Sequence, residues 1–187
     1  MISFSKHSEY IVREENKKDY THVESLFDKF FGEDRKERSV YHFRKGPPVN
    51  SLCMLIEDDT NFKNKNLSNQ ILACIRFWPI YFGSLKGLLL GPLAVRKDVQ
   101  GLGYGTVLIN KSLSKASIDN WPFCFVSGEA DFYPKFGFQK LNLKDIVFNY
   151  PIDPDRLHIK YLNSKAKEIL GNPPWVVKEY IKNNLFC

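Results

Sequence analysis

The sequence lacks the long apolar runs of a membrane protein. No run approaches the roughly 20 residues that a membrane-spanning helix needs, and the longest, residues 87–95, is interrupted by Gly91 and Pro92. The N-terminus also lacks a basic start followed by an apolar block, so no secretory signal is predicted. We therefore expect a cytoplasmic protein with no membrane partner.

Cysteine and histidine are sparse and scattered, with four of each in 187 residues. No Cys-x-x-Cys pair or closely spaced histidine pair is present, which argues against a zinc site or a redox motif. Cys53, Cys74 and Cys124 lie in apolar, strand-like runs, where a thiol behaves as a small hydrophobic group. We predict reduced, buried cysteines and no metal.

Basic residues form no continuous tract, although the net charge is +6. Acidic residues interleave with them, a pattern that favours a solvated basic surface able to attract a small anion. A nucleic-acid interface normally concentrates its positive charge on one face or along one segment. We therefore expect no nucleic-acid partner.

Apolar spacing predicts a mixed set of helices and strands. Residues 16–32 carry apolar side chains three and four apart, which predicts an amphipathic helix that ends at Gly32. A second helix is predicted over 33–46 and a third over 104–120, with Gly105, Ile109, Leu113 and Ala116 on its apolar face. Compact apolar runs predict strands at 9–15, 51–58, 70–82, 88–95 and 122–128.

Three glycines stand at alternate positions between a predicted strand and a predicted helix, in Gln100-Gly101-Leu102-Gly103-Tyr104-Gly105. A dinucleotide fingerprint needs G-x-G-x-x-G after the first strand of a βαβ unit, and a P-loop needs a lysine that is absent here. Free backbone N–H groups at a helix start favour an anion site. A purely structural turn remains the alternative.

This spacing matches a known family. The segment VRKDVQGLGYGTVLI, residues 95–109, resembles the pyrophosphate-binding segment of the GNAT acetyltransferase superfamily, Gln/Arg-x-x-Gly-x-Gly/Ala, through Gln100, Gly103 and Gly105. Residues 126–138 resemble the segment that closes the acetyl-CoA site, and they hold a Tyr-x-x-x-Gly-Phe sequence that begins at Tyr133. The resemblance runs in order over 9–141 and more loosely through the tail, which is similar to a bacterial branch of predicted acetyltransferases.

The resemblance implies one N-acetyltransferase domain over residues 1–187, with its core at about 9–141 and a C-terminal extension at 142–187. It implies an α/β (α+β) fold with a mixed, mostly antiparallel central sheet that is flanked by helices. The sheet is expected to be splayed between its fourth and fifth strands. The sequence itself places apolar residues within 173–186, and we expect them to be available for packing against another subunit.

The resemblance also implies a function: transfer of an acetyl group from acetyl-CoA directly to a primary amine of a small molecule or peptide, by a monomer or homodimer. Tyr133 would protonate the departing thiolate, and no metal would be needed. The residues that would bind the co-substrate are Leu93, Ala94, Val95, Gln100, Gly101, Leu102, Gly103, Tyr104, Gly105 and Thr106. The alternative is a regulatory domain that binds acyl-CoA without catalysis.

The sequence does not assign two parts of the site, the general base and the acceptor pocket. The general base has several candidates and no preferred one; they are Glu57, Asp58, Glu129 and Asp131. Arg76 and Trp78 lie on one face of the strand at 70–82, which often lines the acceptor pocket in this family. Their local pattern predicts only a core tryptophan beside a surface arginine.

Overall fold

The computed structural model describes residues 10–59, 71–141, 146–148, 153–164, 166–170 and 175–179. These residues form one nine-stranded sheet and three α-helices. The strands are β1 (Tyr10–Glu14), β2 (Met54–Asp58), β3 (Ile71–Phe82), β4 (Leu85–Val95), β5 (Phe123–Ser127), β6 (Gln139–Lys140), β7 (Ile146–Phe148), β8 (Leu157–Tyr161) and β9 (Trp175–Glu179). The helices are α1 (Tyr20–Phe31), α2 (Tyr104–Ile118) and α3 (Ala166–Leu170).

The main path of the sheet runs β1-β2-β3-β4-β5-β8-β6, and β9 joins it by pairing with both β3 and β7. The pairs β4–β5 and β7–β9 are parallel and the others are antiparallel. Helix α2 supplies the crossover that a parallel connection between β4 and β5 requires. The mixed, mostly antiparallel α/β fold is therefore confirmed.

The two long helices bury different sets of side chains from the sheet. Val23 and Phe27 of α1 pack in one apolar cluster with Leu55 of β2, whereas Met54 and Ile56 belong to the cluster that includes α2. Alternate residues of a strand point to opposite faces, so the sheet is covered on both sides. The predicted apolar face of α2 is buried.

The predicted second helix is wrong. Residues 33–46 instead contain two single-turn 3-10 segments, Glu33–Glu37 and Ser39–Phe43. The side chain of Arg35 is 2% exposed and donates to Asp28 Oδ1 (2.6 Å) and Glu24 Oε2 (2.7 Å) of α1. These ion pairs tie the middle of the segment to α1, and this tertiary contact overrides local helix propensity.

A β-bulge interrupts the pairing of β3 with β4. Ile75 pairs with Leu93 and Phe77 with Leu90, so that Gly91 and Pro92 together oppose a single residue of β3. A bulge bends its strand and increases its twist. Beyond the bulge β4 continues to Val95, but its pairing with β5 is limited to residues 88–90. The predicted splay between these strands is therefore present.

The tail adds strands to the same sheet. Val177 of β9 is 1% exposed and pairs with Phe82 of β3, so this residue packs within its own chain. The sequence also predicts a long polar loop at 58–70, of which residues 60–70 lie outside the described part of the chain. None of the described helices is both long and apolar enough to cross a membrane.

The predicted buried thiols are present at Cys53, Cys74 and Cys124, and all three are free. Burial raises the pKa of Cys53 to about 12, so this thiol is protonated at neutral pH. The fourth cysteine, Cys187, lies outside the described residues.

Candidate functional site

A cleft of about 890 Å³ opens where β4 separates from β5. One wall is the splayed half of β4 and the other is the segment that follows β5, including Gly128 and Tyr133. The glycine-rich start of α2 lines part of the same cleft, as does the second 3-10 segment with Arg44 behind it. The cleft is thus lined by residues of both segments identified in the sequence, 100–105 and 126–138.

The exposed edge of β4 faces the cleft. Leu93 and Val95 line it, whereas the Ala94 side chain is fully buried in the cluster around α1. Arg96 N–H donates to Leu72 O (2.8 Å), toward β3. Because successive backbone groups of a strand point alternately to its two sides, those of Leu93 and Val95 are directed toward the cleft. An extended ligand can pair with this edge as another strand would.

Gln100 fastens the glycine segment to this edge. Its side-chain Nε2 donates to Val95 O (3.2 Å), which brings the loop back against the end of β4. Leu102 points outward with 63% of its surface exposed and does not line the cleft. Of the ten residues that the resemblance assigned to the co-substrate, Ala94 and Leu102 are the two whose side chains are not part of the cleft wall.

Gly101 and Gly103 form an open backbone cradle. Their φ angles are +84° and +86°, in the left-handed region that other L-residues adopt only at a cost. A Cβ built at either position meets nothing within 4 Å, so open space lies where side chains would otherwise project. Backbone N–H groups beside such space form an anion-binding concavity.

The cradle leads into the N-terminus of α2. Gly103 is the N-cap and offers no capping side chain, and Val107 N–H donates to Gly103 O (3.1 Å) to begin the helical bonding. Thr106 and Gly105 line the cleft within the first turn, where the positive end of the helix dipole favours a negative charge. The backbone N–H groups of the cradle and of this first turn are donors that fit a pyrophosphate.

The neighbouring residues of the first turn have structural roles. Tyr104 is 5% exposed, and its ring packs edge to face on Tyr10 with centroids 5.2 Å apart. A Cβ on Gly105 would lie 3.6 Å from both Leu93 Cδ2 and Val95 Cγ2, which is ordinary contact distance. A methyl group would therefore fit at position 105, where the start of α2 packs against β4.

Tyr133 stands at the beginning of the 3-10 turn Pro134–Phe136 and lines the cleft with 8% of its surface exposed. Its ring packs on Phe132 and Phe138, and none of the hydrogen bonds among the described residues involves its hydroxyl. Burial raises the pKa of Tyr133 to about 12, so the hydroxyl keeps its proton at neutral pH. It is available to donate that proton.

Arg44 is the site residue that sequence reasoning missed. Its guanidinium lies 4.1 Å from the Tyr41 ring centroid and 5.7 Å from that of Trp78. Its Nε and Nη1 atoms are buried without a hydrogen-bond partner. Burial lowers the pKa of Arg44 to about 10, which still leaves it charged at neutral pH. The interleaved basic and aromatic residues of 38–45 are the signal that marks it in the sequence.

A second cavity of about 730 Å³ adjoins the cleft and shares Tyr41, Arg44 and Pro92 with it. Arg76 lines this cavity and is 4% exposed, so the predicted surface arginine is wrong. It is buried because Glu15 accepts from its Nε (2.7 Å) and Nη2 (2.6 Å), and Glu24 accepts from Nη1. Paired charges of this kind are the ones that tolerate burial.

The predicted candidates for a general base are not brought together. Glu129 lines the cleft but pairs with Arg156 (2.8 Å), and Glu57 is paired with Arg13. Asp58 and Asp131 are not part of the cleft wall. Among the described residues, no group of three or more His, Cys, Asp and Glu side chains is arranged to hold a metal ion.

Comparison with solved structures finds the same fold. A GNAT family N-acetyltransferase (YhbS) from Escherichia coli in complex with CoA is 19% identical, with a TM-score of 0.74 over 96% of this chain and 94% of that one. A GNAT family acetyltransferase from Brucella melitensis in complex with acetyl-CoA is 21% identical, with a TM-score of 0.60 over 84% and 90%. An acetyltransferase of GNAT family from Staphylococcus aureus MU50 is 16% identical, with a TM-score of 0.56 over 83% of this chain and 100% of that one.

The sequence itself supports the same assignment. Residues 50–140, from the turn before β2 to the end of β6, match the family model described as an acetyltransferase (GNAT) domain. No curated protein matches the sequence. The matched segment contains both the glycine cradle and Tyr133. Residues 50–140 therefore resemble a GNAT acetyltransferase domain, and the chain has the fold of the GNAT structures described above.

Proposed function

We propose that the chain is an acetyl-CoA-dependent N-acetyltransferase, a single domain that moves the acetyl group directly to a primary amine of a small molecule or peptide. One observation carries this proposal. The same cleft contains an open glycine cradle at a helix N-terminus and, on its opposite wall, the protonated hydroxyl of Tyr133.

Binding of the co-substrate is assigned to the backbone. The N–H groups around Gly101, Gly103 and the first turn of α2 would hold the pyrophosphate, and Gln100 would keep the loop in place. The cleft-facing edge of β4 at Leu93 and Val95 would pair with the pantetheine arm. The E. coli and B. melitensis structures, which contain CoA and acetyl-CoA, support this choice of co-substrate.

Acetyl-CoA supplies the acetyl group as a thioester. The acceptor's amine nitrogen attacks the carbonyl carbon, so that a C–N bond forms and the C–S bond breaks. Tyr133 donates its proton to the departing sulfur, and the new amide nitrogen gives up a proton to water, from which Tyr133 is reprotonated. A thiol has an ordinary pKa near 8.5, so the acid needs to be close more than it needs to be strong.

A thiol-release assay tests the proposal. The protein is given acetyl-CoA and a panel of polyamines, aminoglycosides, amino acids and peptides, and acetylated products are identified by mass spectrometry. Amine-dependent release with a matching acetylated product supports transfer. Tight binding of acetyl-CoA with no product from any amine would contradict it and would favour the regulatory acyl-CoA-binding domain.

A further inference from the structure

We propose that the acceptor amine carries a carboxylate and that Arg44 binds this carboxylate, so that the substrate class is amino acids and similar amino carboxylates. The inference deepens the proposed acetyltransferase function and rests on it. It starts from a buried cation that the fold itself leaves without a counter-ion.

Arg44 lines both the cleft and the second cavity. Tyr41 and Trp78 lie at cation–π distance from the guanidinium carbon. Nε and Nη1 are buried without a partner, and each shares one edge of the guanidinium plane with Nη2. The fork of in-plane N–H donors is the part of an arginine that binds a carboxylate in bidentate fashion.

The two carboxylates that line the second cavity with Arg44 already accept hydrogen bonds from other cations. Glu15 accepts two hydrogen bonds from Arg76, and Glu24 accepts from Arg76, Arg35 and Lys36. No described carboxylate forms an ion pair with Arg44. The second cavity also contains more cationic than anionic side chains, which favours an anionic occupant.

The position of Arg44 separates it from the pyrophosphate cradle. Its Nη2 lies 3.4 Å from the Cβ position of Gly91, at the bulge where β4 begins to splay. The glycine loop follows Val95, at the far end of the splayed part of β4. An extended strand places Val95 about 13 Å from Gly91. Arg44 also lines the cleft that contains Tyr133. An anion at Arg44 therefore lies toward the proton donor and away from the phosphates.

The site should distinguish amino carboxylates from their amides, because a buried charge without a counter-ion is costly. A carboxylate at one edge of the fork would satisfy Nη2 together with Nε or Nη1, whereas the amide or the decarboxylated amine would leave the charge without a counter-ion. A site built around such a group rejects analogues that lack the partner more strongly than an apolar pocket does. The acceptor would enter through the second cavity, because Arg44 lies at its junction with the cleft.

The first experiment compares each of the twenty amino acids with its carboxamide as acceptor, in the thiol-release assay. For the wild-type protein we expect kcat/KM to be at least tenfold higher for the best acid than for its amide. Arg44→Gln should lower kcat/KM for the acid at least tenfold, mainly by raising KM, and leave the amide unchanged. Lys36→Gln removes a charge from the rim of the same cavity and should change both acceptors less than threefold.

A second experiment measures binding without turnover. The N-acetylated amino acids and their amides are titrated calorimetrically into the protein in the presence of CoA, with Arg44→Gln and Arg44→Lys checked for folding by circular dichroism. We expect at least tenfold tighter binding of acids than of amides by the wild type. Arg44→Lys keeps the charge without the fork and should retain part of this preference; Arg44→Gln should lose it.

The two proposals fail in different ways. Equal use of acids and amides, or an equal loss for both in Arg44→Gln, would overturn the carboxylate site and leave the acetyltransferase function standing. Arg44-dependent binding of N-acetylated amino acids without any thiol release would support the carboxylate site and overturn the acetyltransferase function. If neither acids nor amides bind, the carboxylate site is overturned.

Discussion

The α-carbon of Gly128 lies directly against the ring of Tyr133. A Cβ at position 128 would stand 2.1 Å from Tyr133 Cε2 and 2.8 Å from Cζ, closer than real Cβ atoms come to any neighbour. The ring has little room to retreat, because it packs edge to face on Phe132 and Phe138 with centroids 5.2 and 5.7 Å away. Gly128 therefore fixes where the Tyr133 hydroxyl stands in the cleft.

Gly128→Ala should thus disable the proton donor by displacing it. We expect kcat to fall at least tenfold and the free energy of unfolding to drop by about 1–3 kcal/mol, the usual range for overpacking. The Kd for CoA should change less than threefold, because the glycine cradle is on the other wall. Steady-state kinetics, calorimetry and urea unfolding measure the three quantities, and an unchanged kcat would show that the position of Tyr133 does not matter.

Tyr133→Phe removes the hydroxyl and keeps the ring. We expect kcat to fall about 100-fold, at the lower end for loss of a general acid, while stability changes by less than about 0.5 kcal/mol, because no internal hydrogen bond is lost. The pKa of Tyr133 is about 12, so its acid form persists below that pH. Loss of this acid should therefore cause no alkaline decline in wild-type kcat within that range. Full turnover in Tyr133→Phe would exclude the assigned role.

Local patterns predicted the parts of the fold that depend on nearby residues. The apolar spacing of residues 16–32 and 104–120 gave α1 and α2, because a helix that packs on a sheet needs one apolar face. The glycine cradle was equally predictable, because its backbone requirement is set within a few residues. The tail strands β7 and β9 were not predicted; each depends on a partner that is distant in sequence.

The burial of the site's arginines could not be predicted either, because it depends on partners that are distant in sequence. Arg76 is buried because it pairs with Glu15 and Glu24, which are 61 and 52 residues away. No local pattern distinguishes an arginine that will find such partners from one that stays in solvent. Arg44 owes its burial to Trp78 of β3 as well as to Tyr41, a combination that exists only after folding.

The cradle can be tested with two glycines that share a backbone requirement. Gly103 (φ +86°) borders the open cradle, and Gly83 (φ +60°) lies in the β3–β4 turn, away from the cleft. Alanine at either position should cost about 1–2 kcal/mol of stability, the price of the left-handed conformation. Only Gly103→Ala should also weaken CoA binding, by at least tenfold in calorimetry. Equal CoA affinities in the two variants would argue against the cradle.

The partly buried carboxylate of Glu24 should make stability fall in acid. Burial by itself raises the pKa of Glu24, but hydrogen bonds from Arg35, Arg76 and Lys36 outweigh it and hold the pKa below its ordinary value of 4.5. A lowered folded-state pKa contributes stability above the unfolded value, and this stability is lost as the pH falls through the folded value. Urea unfolding below about pH 5 should record this loss.

Glu24→Gln should flatten that acid dependence, because the group that takes up the proton is gone. The matched control is Asp155→Asn: its carboxyl also has a lowered pKa through Lys140, but it is fully exposed and its ion pair is screened by water. We expect the control to retain the wild-type slope of stability against pH. If both variants have the same slope as the wild type, Glu24 is not the group that titrates.

Arg44 should weaken the fold that holds it, in contrast to Arg35, whose side chain is buried and fully paired. Arg35 donates to Glu24, Asp28 and the Tyr41 hydroxyl, so Arg35→Met breaks a buried network and should cost about 3 kcal/mol. Arg44 has buried donors without partners, so Arg44→Met should raise the free energy of unfolding by about 1 kcal/mol. Thermal and urea unfolding of both variants, without ligand, make the comparison. A loss in Arg44→Met as large as that in Arg35→Met would mean that the folded chain already satisfies this guanidinium, which would remove the physical basis for a carboxylate site.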